Sequence, residues 1–308
     1  MAQFPNEQSD DGSFDRQEDA FRDWVEDYPD AAFPVEKNRY HLYVCYACPW
    51  AHRIIIAREL LGLSEAISMS AVDPIRNEED GWAFRDGDGH GPDPTNGFQL
   101  LKEAYLASDP EYQGRVTVPV LWDKKEKCIV TNSDDDLLRM LNKAFRSLAS
   151  SDLELVPEER LDEIDELNEI IYEHVNNGVY KAGFATSQKS YEEAVIPLFE
   201  TLDMLEEKLA SSVFLFGENL TETDIRLFVT LIRFDPVYHG HFKCNIRRIV
   251  DYPNLSRFVD RFRSLEGVEA TINFDHIKRH YYVTHDDINP TGIVPVGPDG
   301  ALTFLAGK

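Results

Sequence analysis

Cys45 and Cys48, in the run Cys-Tyr-Ala-Cys, are the two cysteines of this chain that lie close together; Cys128 and Cys244 stand apart. Four cysteines in 308 residues is far too sparse for a disulfide scaffold. A close pair in a cytosolic setting points to redox chemistry before structural bridging. Cys48 is followed by Pro49 and then by Ile54, Ile55, Ala57, Leu60 and Leu61, apolar positions at helical period, with Gly62 placed to end the helix. Residues 39–44, Arg-Tyr-His-Leu-Tyr-Val, alternate and are rich in aromatic and β-branched types, which predicts a strand. Cys48 thus falls where a strand runs into a helix N-terminus. Backbone N–H groups and the helix dipole there favour a thiolate, the nucleophile of thiol–disulfide exchange. The bland alternative is a buried, inert cysteine; the strand–Cys-Pro–helix setting favours the reactive one. Cys45 at the strand end is a candidate resolving thiol, although its position argues against the reach that role needs. Cys128 in a strand pattern and Cys244 in a helical context read as structural.

Val118-Pro119 is the second mark. A proline inside the strand-like run Val116–Trp122 implies an edge, a bulge or a cis bond. A cis bond beside the cysteine loop would turn the Val118 backbone toward a thiol ligand's peptide. His239, His241 and Cys244, and His276 with His280, have metal-ligand chemistry but lack a second pair at finger-like spacing, so no metal is expected. There is no Gly-x-Gly-x-x-Gly, P-loop or Gly-x-Ser-x-Gly to support nucleotide or serine-hydrolase chemistry.

The elements that must hold these residues follow from the pattern. A strand at 67–72 comes after the cysteine helix; 73–113 is a loop-rich insertion with Gly and Pro clusters. Strands at 116–122 and 128–131 and a helix at 134–145 complete the order β-α-β-insertion-β-β-α, that of a thioredoxin-like domain. The rest reads as helix: a face of Leu161, Ile164, Leu167, Ile170, Ile171 and Val175; a second helix through Val195–Leu209 opened by Ser190 and Glu193; a third behind the capping pair Thr221 and Asp224; a fourth from Leu255 to Leu265. The last 30 or so residues read as an irregular tail. Residues 1–38 are polar and acidic, but Phe14, Phe21, Trp24 and Tyr28 suggest an arm packed on the body. The expected divisions are the arm at 1–38, a thioredoxin-like thiol-binding domain at 39–150, an all-helical domain at 151–270 and a C-terminal extension at 271–308.

Composition bounds the rest. Hydrophobic residues at 43% argue against wholesale disorder. No apolar run approaches the roughly 20 residues of a membrane helix, and the first residues carry no signal-peptide pattern, so a soluble cytoplasmic protein is expected. Asp and Glu number 56 against 31 Lys and Arg, a formal charge of −25. Such a surface repels nucleic acid and anionic membranes. It suits either an ordinary acidic protein or a halophilic one whose carboxylates stay hydrated in high salt.

Together these stretches resemble the glutathionyl-hydroquinone reductases, the Xi class of the glutathione transferases. The matching runs are Tyr-Ala-Cys-Pro-Trp-Ala-His-Arg (46–53), Gly81-Trp82-x-Phe84, Gly-Arg-Val-Thr-Val-Pro-Val-Leu-Trp-Asp (114–123), Asn-Asn-Gly-Val-Tyr-Lys-Ala-Gly-Phe-Ala (176–185), Arg-Phe-Asp-x-Val-Tyr-x-x-His-Phe-Lys-Cys-Asn (233–245) and Asn-Phe-Asp-His-Ile-Lys-Arg-His-Tyr-Tyr (273–282). The resemblance spans nearly the whole chain from residue 13. It implies a thioredoxin-like N-terminal domain, an all-α C-terminal transferase domain, a homodimer, and removal of glutathione from aromatic thioethers. It implies Cys48 as nucleophile, Tyr180 as the tyrosine that handles the proton of the leaving aromatic, and Tyr238 and Tyr281 as phenols that hydrogen-bond near the nucleophile. Trp82, Arg115, Val116, Thr117, Val118 and Pro119 match glutathione contacts. After the last strand the family carries Asn-Glu-Ser, whose Glu and Ser hold the γ-glutamyl head; this chain has Asn132-Ser133-Asp134. A ligand's ammonium loses its Glu partner at Ser133, and its carboxylate would face the like charge of Asp134. The co-substrate is therefore expected to be glutathione or a related low-molecular-weight thiol. A conjugating glutathione transferase, and a binding module that has lost its thiol pocket, are the alternatives. A cysteine at position 48 speaks against the first, and the retained cysteine and tyrosines against the second.

Overall fold

The fold is that of a computed structural model, which describes residues 7–9, 11–77 and 79–298. The expectations for residues 1–6 and for the end of the tail, 299–308, lie outside the described residues. The described residues form two compact units. One holds Glu18–Leu153 and Glu266–His276; the other holds the described parts of Met1–Gln17 and Ile277–Lys308 with Glu154–Leu265.

The first unit is built on a four-stranded sheet. A two-residue parallel pair, β1 (Val25–Glu26) and β2 (Phe33–Pro34), precedes it. β3 (Tyr40–Val44) is wholly buried and followed by α1 (Pro49–Leu60) and β4 (Ser68–Ala71). Then come α2 (Lys102–Ser108), β5 (Val120–Asp123), β6 (Cys128–Thr131) and α3 (Asp134–Lys143). The sheet order is β4-β3-β5-β6, with β3 parallel to β4 and antiparallel to β5. The predicted order holds, with one addition. The insertion contains α2, missed because it is short and flanked by turn residues. The loop before it is wound around the buried Asp93, whose carboxylate accepts the N–H groups of Thr95 (3.0 Å), Asn96 (3.0 Å) and Phe98 (3.2 Å).

Strand 116–122 is shorter than expected: Val116–Pro119 is irregular and unpaired in the sheet, and pairing starts at Val120. α1 ends on Gly62, whose φ of +65° lets its N–H reach Glu59 O (2.9 Å) while Leu63 N–H reaches Arg58 O (2.9 Å). This is the paired closure that glycine makes easy. His41 ties β3 to β4 through Ser68 Oγ (2.8 Å) and Ser70 Oγ (2.6 Å). The free edge of β6 is covered by residues 21–23: Asp23 N–H reaches Val130 O (3.0 Å) and Asn132 N–H reaches Phe21 O (3.1 Å). The neighbouring Trp24 and Tyr28 are 39% and 50% exposed, so they do not pack inward as expected.

The second unit is helical: α4 (Leu161–Ile171), α5 (Gly178–Phe184), α6 (Gln188–Lys208), α7 (Glu222–Arg233) and α8 (Pro253–Arg263). A wide, π-type turn, Tyr172–Asn176, follows α4, and another, Phe234–Tyr238, follows α7. α6 starts at Ser187, whose Oγ accepts the Ser190 N–H (3.1 Å). The cap is therefore three residues earlier than the expected Ser190, because two serines at that spacing offer alternative registers. The Thr221–Asp224 capping box is present; Thr221 N–H and Oγ both donate to Asp224 Oδ2 at 2.9 Å. Leu161 is exposed, outside the face assigned to it. Cys244 lies in an irregular segment, not a helix, because the chain turns after Tyr238, and Cys244 N–H bonds Tyr238 O (3.0 Å). The expected irregular tail begins with a helix, α9 (Phe274–Thr284).

Candidate active site

The expected nucleophile and thiol-binding residues lie in the sheet unit. β3 ends at Val44, and the chain turns through Cys45, which is buried, to Cys48, which is half-buried. Cys48 caps α1 with extended backbone (φ −73°, ψ 123°), Pro49 takes the first helical position, and His52 N–H bonds Cys48 O (3.0 Å). Proline suits that position because the N–H it lacks has no helical partner there. No acidic residue stands in the first turn of α1 to oppose an anion. The Val118-Pro119 bond is cis, and Cys48 Sγ donates to Val118 O at 3.6 Å. The cysteine and the proline turn, the two marks singled out in the sequence, thus meet.

The other expected thiol-binding residues divide by what already holds them. Tyr105 hydroxyl donates to Thr117 O (2.9 Å) and accepts Thr117 N–H (3.1 Å), so the Thr117 main chain anchors the segment from behind. Tyr112 hydroxyl does the same for Arg115 O (2.7 Å). Arg115, Val116 and Thr117 are half-buried, Val118 and Pro119 buried. Trp82 is 7% exposed, with the Arg76 guanidinium 6.0 Å from its ring centre. Ser133 is buried and caps α3, its Oγ accepting the Asp136 N–H (3.2 Å).

Asp134 departs from expectation. Its Oδ2 lies 2.8 Å from Arg53 Nη1, and Asp135 Oδ1 is 3.3 Å from the same nitrogen. Arg53 is fully buried on α1, with its guanidinium 4.5 Å from the Trp50 ring centre. The like charge expected to repel a ligand's carboxylate is therefore neutralised from beneath. Sequence reasoning gave Arg53 no role: it closes the run 46–53, but its acidic partners lie 81 and 82 residues further along the chain.

The three expected tyrosines lie in the helical unit. Tyr180 stands on α5, Tyr238 ends the π-type turn after α7, and Tyr281 stands on α9. Their hydroxyls form a chain: Tyr180 to Tyr281 at 2.5 Å and Tyr281 to Tyr238 at 2.9 Å. Burial, then the neighbouring Tyr180, pushes Tyr238 and Tyr281 well above the usual phenol range, while the buried Arg233 pulls both back. Both are therefore neutral donors at physiological pH. The two wide turns lead into Tyr180 and end on Tyr238: Asn176 Nδ2 holds the first against Arg226 O and Thr230 Oγ1, each at 2.8 Å. Asp235 in the second accepts Ile249 N–H (2.7 Å). Such turns recur at functional sites because they re-aim side chains without ending the helix. Arg233 was also missed, although it opens the quoted run 233–245.

Among the described residues no group of three or more His, Cys, Asp or Glu is placed to hold a metal ion. His241 instead pairs with His285 (3.1 Å), and His276 Nε2 bonds Asp88 O (2.7 Å). No helix among the described residues is long and apolar enough to cross a membrane.

The family model for the glutathione S-transferase N-terminal domain matches residues 47–144, and that for the C-terminal domain matches 188–261. The glutathionyl-hydroquinone reductase PcpF of Sphingobium chlorophenolicum is 53% identical over 96% of this chain and 92% of its own length. The crystal structure of the glutathione-S-transferase Xi from Phanerochaete chrysosporium is 49% identical with a TM-score of 0.89, over 92% of this chain and 97% of that one. The glutathione-bound structure of YqjG from Escherichia coli K-12 is 49% identical with a TM-score of 0.87, over 90% and 92%.

Proposed function

The chain belongs to the glutathionyl-hydroquinone reductases, the Xi class of glutathione transferases, and on that premise we propose how its own residues carry the reaction. It is a glutathione-dependent reductase that removes glutathione from glutathionyl-hydroquinones. Cys48 thiolate attacks the thioether sulfur; the sulfur–aryl bond breaks as a Cys48–glutathione disulfide forms. The aryl carbon takes the bonding pair and a proton, supplied by Tyr180, and leaves as the hydroquinone. A second glutathione thiol then attacks the mixed disulfide, regenerating Cys48 and releasing oxidised glutathione; its proton restores the phenol. Cysteine is oxidised and the aryl carbon reduced in the first step, and glutathione closes the cycle.

The observation that carries the reading is Cys48 at the head of α1, its sulfur against the Val118 carbonyl of the cis-proline turn. Trp82, Arg115, the 116–119 segment and the start of α3 at Ser133 and Asp134 are assigned to the thiol. Arg53 beside Asp134 supports glutathione as that thiol, since it removes the charge conflict. Cys45, buried at the strand end, is assigned no resolving role. The protein is read as a cytoplasmic homodimer with a salt-adapted surface, supported by family resemblance and by its −25 charge.

Intact-protein mass spectrometry after exposure to glutathionyl-menadione, before any free thiol is added, tests the central step. Wild type gains a glutathione adduct that added thiol clears, and Cys48→Ser gains none. An unmodified wild type with a demonstrably reduced Cys48 defeats the reading.

A further inference from the structure

The acidic N-terminal arm is clamped on the turn between α5, which bears Tyr180, and the start of α6. Thr186 N–H bonds Gly12 O (3.1 Å), and the hydroxyls of Ser187 (3.2 Å) and Ser190 (3.1 Å) both donate to Asp11 O. Phe14 is buried with its ring 5.4 Å from that of Phe184. Gly12 has φ +90°, and a Cβ there would lie 2.9 Å from Thr186 Oγ1 and 3.1 Å from the Ser187 backbone nitrogen. The fit therefore needs glycine at that point. These contacts deliver Arg16: its Nε donates to Asn177 Oδ1 (3.3 Å), just before α5, and its guanidinium lies 5.0 Å from the centre of the Tyr180 ring.

We propose that Arg16 is a positioning residue for Tyr180, holding the ring and stabilising the phenolate left when Tyr180 gives its proton to the departing aromatic. A cation over an aromatic face is attracted by the ring's negative quadrupole, and more strongly once the ring carries a full negative charge. Tyr281 and Tyr238 hydrogen-bond around the same hydroxyl site, and Arg233 is the buried cation beside those two. Lys181, next on α5, is engaged with Glu173. Arg16 is thus the arm's contribution to the phenol whose charge changes during aryl release. The assignment rests on the reductase reading above, with Tyr180 as the proton donor.

The two half-reactions separate this role from a merely structural one. Aryl release needs the Tyr180 proton; resolution of the mixed disulfide by glutathione does not involve an aryl group. Single-turnover release of menadiol from glutathionyl-menadione, without free thiol, reads the first. Reaction of a preformed Cys48–glutathione disulfide with glutathione reads the second. Arg16→Met slows aryl release by roughly ten- to thirtyfold and leaves the second step within about twofold, and Arg16→Lys recovers most of the loss. Thermal midpoints of both variants confirm that they fold. Arg16→Met with wild-type aryl release, or with both steps slowed alike, overturns the assignment. Absence of aryl release by wild type itself overturns the reductase reading, and this inference with it.

Discussion

Removing the cation at Arg53 costs more than removing its anion, and the structure sets the size of the difference. Arg53 is fully buried, whereas the Asp134 side chain is 14% exposed. Breaking a buried pair from one side costs about 3–5 kcal/mol when the remaining charge is stranded. In Arg53→Met the stranded group is Asp134, which sits in the first turn of α3, where the dipole returns about 0.3–1 kcal/mol, and which water reaches. The expected loss is about 2–3 kcal/mol. In Asp134→Asn, Arg53 keeps Asp135 at 3.3 Å and the Trp50 face at 4.5 Å, and the loss is about 1 kcal/mol. The double variant should show a coupling near 1 kcal/mol. Urea unfolding of the four proteins, with unchanged m-values, measures this. Because the pair is covered, the coupling persists in molar salt, unlike that of an exposed pair. A loss for Asp134→Asn equal to that for Arg53→Met, or a coupling that vanishes in high salt, refutes the argument.

Other outcomes follow from single positions. Gly183→Ala, a change that favours an isolated helix by about 1 kcal/mol, destabilises here by roughly 1–3 kcal/mol, because its Cβ would lie 2.3 Å from the Phe242 ring; urea midpoints give the sign. Burial pushes His41 down to about 4 from 6.5, so the stability it confers is complete above pH 6.5 and lost as pH falls through 4. Unfolding midpoints between pH 7.5 and 4 fall, and the slope is shallower in His41→Gln. With Cys45 and Cys244 fully buried and the Cys128 thiol pushed up by burial and by Asp123, native-state alkylation near pH 7 is fast at Cys48 and slow in Cys48→Ser. A salt-adapted surface predicts unfolding midpoints that fall as molar salt is diluted; unchanged midpoints remove that reading.

What was legible in the sequence was local. The alternation through Tyr40–Val44, the Cys-Pro helix start, the glycine at its end and the Thr221–Asp224 box are each decided within a few residues, and each stands as read. The helix α9 was hidden because its buried stripe, Ile277, His280, Tyr281 and Thr284, has helical spacing but half polar residues. Ser187 and Ser190 offered two equivalent starts for α6, and only the extended backbone at Ser187 decides between them. Arg53 and Asp134 are 81 residues apart, and Arg16 and Asn177 161 apart. No periodicity encodes such pairings, so the groups that compensate Asp134 and attend Tyr180 appear only once the chain is folded.

The cover on the β6 edge has a consequence for how the protein is made. Phe21 leaves the ribosome 110 residues before Thr131, whose hydroxyl donates to its carbonyl. At roughly 5–20 residues per second, the segment waits on the order of 5–20 s for the strand it will shield. Glu18, Asp19, Asp23, Glu26 and Asp27 crowd that stretch, and their mutual repulsion keeps the waiting chain extended and hydrated. The same acids that mark the finished surface thus serve the nascent chain, guarding the segment until synthesis supplies the strand whose edge it covers.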